Sequence, residues 1–233
     1  MGALLRFRVA FLAATGGFVD AVTFIILFGL FTAHLTGDTT RLGVDLGTRT
    51  FNGDAGARVA VIIAFVVAVA VGSTVLLFTD KLHVRRRALL GVQAVLLVVF
   101  MVAGTFWLDR GAVAEGSLVL IVLGSMAAFA MGLQNVVVRN VAGISVATTF
   151  MTGMLTAMAE DIASWVRARH DPEPRRRAFL HGGIWLSYIT GGIVGAAAVT
   201  AWELRALCLP IAVIIVAAIT ERGGHGRVGQ ELL

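Results

Sequence analysis

An aspartate in the middle of an apolar run is the first residue that demands a chemical explanation. Asp20 sits about midway along an otherwise uncharged stretch, residues 9–33. An ionised carboxylate at that depth of a bilayer costs roughly 2.5 kcal/mol or more on insertion scales, so it has to be paired, hydrated or protonated. His34 and Asp38 follow four residues apart, a spacing that puts them on one face of a continuing helix, where imidazole and carboxylate can pass a proton. An interfacial histidine with a helix-capping aspartate is the plainer reading. Far along the chain Gln134, Asn135, Arg139 and Asn140 form a second polar group. Arg139 lies one helical turn beyond Asn135 and needs a partner as much as Asp20 does. Pairing of Asp20 with Arg139, directly or in a cluster with Gln134, Asn135 and Asn140, satisfies both. So does a buried polar knot that only fixes helix register. Thr36, Thr39, Thr148, Thr149 and Thr152 offer hydroxyls to a polar solute, although threonine also bonds back to its own helix. Glu160 and Asp161 are expected in headgroups and solvent.

The elements that carry these residues are membrane-spanning. The chain has 233 residues, 58% of them hydrophobic and 14% charged, with a mean hydropathy of +0.90. A soluble domain of this size needs far more polar surface. Apolar stretches of about 20 residues span a bilayer, and six are predicted: 9–33, 59–78, 88–108, 116–142, 178–202 and 204–220, the last of them short. Two further apolar pieces, 36–47 and 148–159, are too short to cross and read as half-helices after a break. The expected fold is therefore all-α, a polytopic bundle of six transmembrane helices. Twenty-seven glycines against three prolines suit helices packed backbone to backbone. The first run is too long for a signal core and lacks a clean cleavage site, so it is read as a span.

Lysine and arginine set the orientation. With the N-terminus inside, thirteen of these residues fall in inner segments and five in outer ones, which places both termini in the cytoplasm. Topology control explains the net charge of +5, and a nucleic-acid partner is not expected. The Arg85–Arg87 and Arg175–Arg177 runs can also meet anionic lipid. Cys208 stands alone, so no intramolecular disulfide or cysteine-based metal site is available.

The chain also repeats itself. Gly17-Phe18-Val19-Asp20-Ala21-Val22 followed by Thr36-Gly37 parallels Gly132-Leu133-Gln134-Asn135-Val136-Val137 followed by Thr152-Gly153, and Val71-Gly72 parallels Val194-Gly195. Residues 1–110 and 111–233 then form two three-helix repeats with broken first helices. Three spans per repeat force the second copy to enter from the opposite side, giving an inverted pair. Breaks at membrane depth survive only against protein or a watery cavity, and breaks at matching places in inverted repeats point to a transporter's binding site. A tight turn at the membrane edge is the alternative. The small-residue ridges Gly124-x3-Ala128-x3-Gly132 and Gly191-x3-Gly195 serve either the internal interface or a homodimer.

The Gly17–Phe24 stretch, Thr32-Ala33-His34-Leu35-Thr36-Gly37-Asp38, Met131–Arg139 and Thr148–Gly153 together resemble the YoaK-like family of bacterial membrane proteins over nearly the whole chain. That resemblance implies about six helices in a bacterial cytoplasmic (inner) membrane and no known substrate. The family pattern has Thr-Gly-Asn where this chain has Thr36-Gly37-Asp38, which adds an acidic group.

The functional expectation is a small secondary transporter or permease, without cofactor or metal, that binds a small polar solute between the two broken helices. Asp20, His34, Thr36, Gly37, Asp38, Gln134, Asn135, Arg139, Thr149, Thr152 and Gly153 are its candidate binding and coupling residues, with proton coupling through Asp20, His34 or Asp38. The alternative is a non-transporting scaffold or partner subunit, recognisable by a dry centre with Asp20 fully paired. No nucleotide loop, dinucleotide glycine pattern or hydrolase motif is present, and the five histidines are scattered, so an enzyme is not expected.

Overall fold

The computed structural model describes residues 3–49, 54–78, 82–138, 151–168 and 170–221. Every regular element among them is helical: α1 (Ala3–Ile26), α2 (Leu35–Thr48), α3 (Ala55–Leu77), α4 (Leu82–Leu108), α5 (Leu118–Val138), α6 (Met151–Arg167), α7 (Pro172–Trp202) and α8 (Cys208–Ile219), with a 3-10 turn, Glu203–Leu207, joining the last two. Five helical stretches are long and apolar enough to cross a membrane: Phe7–Ile26, Ala55–Leu77, His83–Leu108, Leu118–Val138 and Pro172–Ile219. The last includes both α7 and α8. Alone, α8 has 12 residues, or about 18 Å of helix, against a hydrocarbon core of about 30 Å. Large apolar side chains such as Ile63, Val66, Leu77, Val102, Leu118 and Ile193 stand exposed. So broad an apolar exterior fits lipid and not water.

Local chemistry sets the helix ends. Asp171 caps α7, its carboxylate accepting from the Glu173 amide at 3.0 Å, and Pro172 follows where a missing N–H costs nothing. The first break comes earlier than hydropathy suggests. α1 ends at Ile26, seven residues before the end of the 9–33 run, and the chain reverses through left-handed Phe28 and Gly29 (φ 53° and 82°). Hydropathy cannot detect this turn because its residues are apolar.

Glycines decide which helices touch. A Cβ at Gly17 or Gly191 would collide with the carbonyl oxygens of Tyr188 and Ala14, and one at Gly195 would lie 2.7 Å from the Phe18 oxygen. Contact positions advance together along both chains, so α1 and α7 pack parallel. α3 and α5 do the same: a Cβ at Gly132 would lie 2.8 Å from the Phe65 oxygen, and one at Gly72 3.2 Å from Val136. Both small-residue ridges therefore serve contacts inside this chain. α4 runs antiparallel to α5 and to α8, and the fully buried Leu90, Leu97, Phe100, Leu120 and Leu123 fill the core.

Candidate functional site

Asp20 organises the break in α1. It is 2% exposed, and its Oδ1 accepts from the amides of Thr32 (2.9 Å) and Ala33 (2.7 Å) and from the Thr32 hydroxyl (3.3 Å). The Tyr188 hydroxyl of α7 donates to Oδ2 at 2.5 Å. The carboxylate thus satisfies backbone donors that the break frees and fastens the returning chain to α1 and α7. Thr23 and Thr32 extend the cluster, their hydroxyl oxygens 3.3 Å apart.

Asp38 lies in the first turn of α2, outside the five long apolar helices. It is fully buried, and its Oδ2 accepts from the Phe31 amide at 3.1 Å, while Oδ1 has no hydrogen-bond partner among the described residues. Burial pushes this carboxyl up to about 7, against the Phe31 amide and the charge of Arg58, which hold it down. Gly37 packs beside the Phe31 ring, where a Cβ would stand 3.1 Å away. Arg41 donates to the Gly29 carbonyl at 3.0 Å, so α2 grips the turn at several points. Below about pH 4 the protonated acid contributes its full stabilisation; that contribution is lost as pH rises through about 7, because the folded state binds this proton more tightly than the unfolded chain, whose carboxyl sits at 3.8. The unfolding midpoint in detergent is expected to fall over this window, and Asp38→Asn to flatten the fall.

The other predicted residues divide. His34 precedes α2 without capping it and meets the Phe31 ring edge-on, centroids 5.8 Å apart. No hydrogen bond joins His34 to Asp38, so the structure does not assemble their direct relay. Thr36 is exposed in the first turn of α2, and Thr152 is exposed in the first turn of α6, with half-buried Gly153 beside it. Gln134 forms a second cluster, donating to the Leu12 carbonyl (2.7 Å) and accepting from Gln93 (2.6 Å) and Thr15 (3.2 Å). The two clusters flank Gly16, where a Cβ would lie 3.8 Å from both the Gln134 amide nitrogen and the Tyr188 ring. Asn135 is also engaged. Arg139, Asn140, Thr148 and Thr149 lie outside the described residues, and the proposed Asp20–Arg139 pairing with them. Among described residues, Asp20 is partnered by Thr32, Ala33 and Tyr188.

Two polar residues of these clusters, Tyr188 and Gln93, escaped the sequence reading. Tyr188 is the only tyrosine in the chain and Gln93 interrupts an apolar span; those oddities were the available signals. Asp161 corrects an expectation. Instead of facing solvent, it is buried and bonded to His181 (3.0 Å) and Arg177 (3.2 Å), while neighbouring Glu160 is exposed. At the other short helix Arg58 is buried between Asp45 (2.5 Å) and Asp54 (3.6 Å). Among the described residues no group of three or more histidine, cysteine or acidic side chains is arranged to hold a metal. Three described cavities lie between α4 and the 3-10 turn (about 410 Å³), among α1, α7 and α8 (about 230 Å³), and between α1 and α8 (about 280 Å³). The last two are lined almost wholly by apolar side chains.

Comparison with known proteins gives a family and no activity. A family model described as a protein of unknown function (DUF1275) matches residues 9–220, and the chain belongs to that family. No curated protein and no solved structure matches it.

Proposed function

We propose, for this member of the DUF1275 family, a small secondary transporter of the bacterial inner membrane that binds a small polar solute between two broken helices and couples to protons. The observation that carries the reading is the break itself: a buried carboxylate of α1 holds the amides of Thr32 and Ala33 between α1 and α2, and a second buried carboxylate, Asp38, has an oxygen without a hydrogen-bond partner among the described residues. Asp20, with four donors, acts as the clamp. Asp38, with a single donor, carries the proton. Asn135, Arg139, Thr149, Thr152 and Gly153 are the second half's contribution, α8 with its preceding turn is the sixth span, and both termini are cytoplasmic.

The inverted-repeat reading has support in packing. Gly17 matches Gly132 by a shift of 115 residues and Gly72 matches Gly195 by 123. Under those shifts Gly17 against Tyr188 becomes Gly132 against Phe65, and Phe18 against Gly195 becomes Leu133 against Gly72; the first three are close backbone contacts, and in the fourth the Leu133 side chain lies 3.5 Å from a Cβ at Gly72. Two unrelated halves have no reason to share them.

One observation favours the scaffold reading: Asp20 is closed off from solvent with both oxygens bonded. A transporter in its occluded state looks the same, so the deciding test is solute-driven proton movement in proteoliposomes.

A further inference from the structure

The repeat shifts make a prediction that the packing glycines did not enter. α2 maps onto α6 by 116 residues, from Gly37 to Gly153, so Asp45 maps onto Asp161. α3 maps onto α7 by 123, so Arg58 maps onto His181. Asp45 and Arg58 are bonded at 2.5 Å, and Asp161 and His181 at 3.0 Å. Each pair is buried, and each ties a short helix to the long helix that follows. The same latch occurs twice with one chemical difference: guanidinium is permanently cationic, whereas imidazole is cationic only when protonated.

We propose that Asp161 and His181 form a proton-binding latch between α6 and α7, the titratable counterpart of the permanently charged Asp45–Arg58 latch between α2 and α3. The His181 Nδ1 faces Asp161, so the proton adds at the other ring nitrogen and converts a hydrogen bond to a carboxylate into an ion pair. His181 is 5% exposed, which makes the charge state matter, because water screens it little. Among the described residues, the elements packed on α7 bring the following groups. From α6 comes Asp161; from α7 itself comes Arg177, one turn earlier on the same carboxylate. α1, also packed on α7, brings Asp20 to Tyr188, seven residues further on, and the 3-10 turn carries Glu203 and Arg205 at the far end of α7. In an inverted repeat the two latches lie toward opposite membrane faces, so the protein responds to pH on one side only. This inference rests on the repeat reading and does not require transport.

Paired spin labels on the full chain in nanodiscs test it, with Cys208→Ser removing the native thiol. One pair, Leu155→Cys with Leu186→Cys, reports α6 against α7; the equivalent pair, Thr39→Cys with Ile63→Cys, reports α2 against α3. All four positions are exposed. Between about pH 5 and pH 8, the imidazole range, the α6–α7 distance is expected to lengthen by about 2 Å, a typical helix shift, with α2–α3 unchanged. His181→Arg is expected to abolish the response while preserving the fold, and Arg58→His to confer it on α2–α3. An α6–α7 distance that ignores pH, or one that responds equally with His181→Arg, overturns the proposal. Response lost with His181→Arg but not gained with Arg58→His overturns the equivalence of the two latches. No solute enters the measurement, so its failure is separable from failure of the transport reading.

Discussion

Replacing Asp20 by alanine is expected to leave little folded protein after detergent extraction, whereas Asp20→Asn is expected to behave nearly as wild type. Alanine strips the acceptor from the amides of Thr32 and Ala33 and from the Tyr188 hydroxyl. Each buried donor left unpaired costs about 1–3 kcal/mol, and at membrane depth no water replaces the partner. The total is on the order of 5 kcal/mol, a large share of a typical stability of about 5–15 kcal/mol. Asparagine keeps an oxygen for the two amides and turns its own N–H toward the Tyr188 oxygen. Asn135 stands at the position that the shift from Gly17 to Gly132 gives for Asp20. Tyr188→Phe removes one bond and should fall between the two. The recovery of monodisperse protein and the unfolding midpoint measure this series; asparagine failing as badly as alanine would show that the charge, and not the acceptor, holds the break.

The second large effect comes from a methyl group. Gly191→Ala is expected to cost about 3 kcal/mol, the upper end of the overpacking range, because the added carbon meets the backbone oxygen of Ala14 and no rotamer relieves it. Separating α1 from α7 also strains the Tyr188–Asp20 bond, so the damage reaches the clamp. Gly183→Ala on the same helix is the control. Nothing lies within 4 Å of its added Cβ, and helix propensity favours alanine. Unfolding in graded denaturing detergent should separate the two variants clearly; equal midpoints would contradict the parallel backbone contact.

Much of this was legible in the amino acids because bilayers make polar residues conspicuous. Asp20 stood out against its run, and the Gly191-x3-Gly195 ridge announced a close approach. What Asp20 binds was not legible. Tyr188 lies 168 residues away, and nothing in local spacing says that α7 runs parallel to α1. The break was misplaced because Leu27–Phe31 is apolar, while the turn is set by Gly29 and by the pull of Asp20 on two amides. Glu160 and Asp161 read as one charged pair, yet adjacent residues on a helix point about 100° apart, and only Asp161 faces α7. The family match supplied membership without an activity, so the functional reading rests on the geometry of the break.

Proton flux into proteoliposomes, followed while a panel of small polar solutes is added, tests the central claim most directly. The account predicts that at least one solute drives proton movement through wild type, that Asp38→Asn abolishes it, and that the purified variant remains folded. A folded wild-type protein that moves no protons with any solute of the panel, or an Asp38→Asn variant that moves them at the wild-type rate, would contradict it.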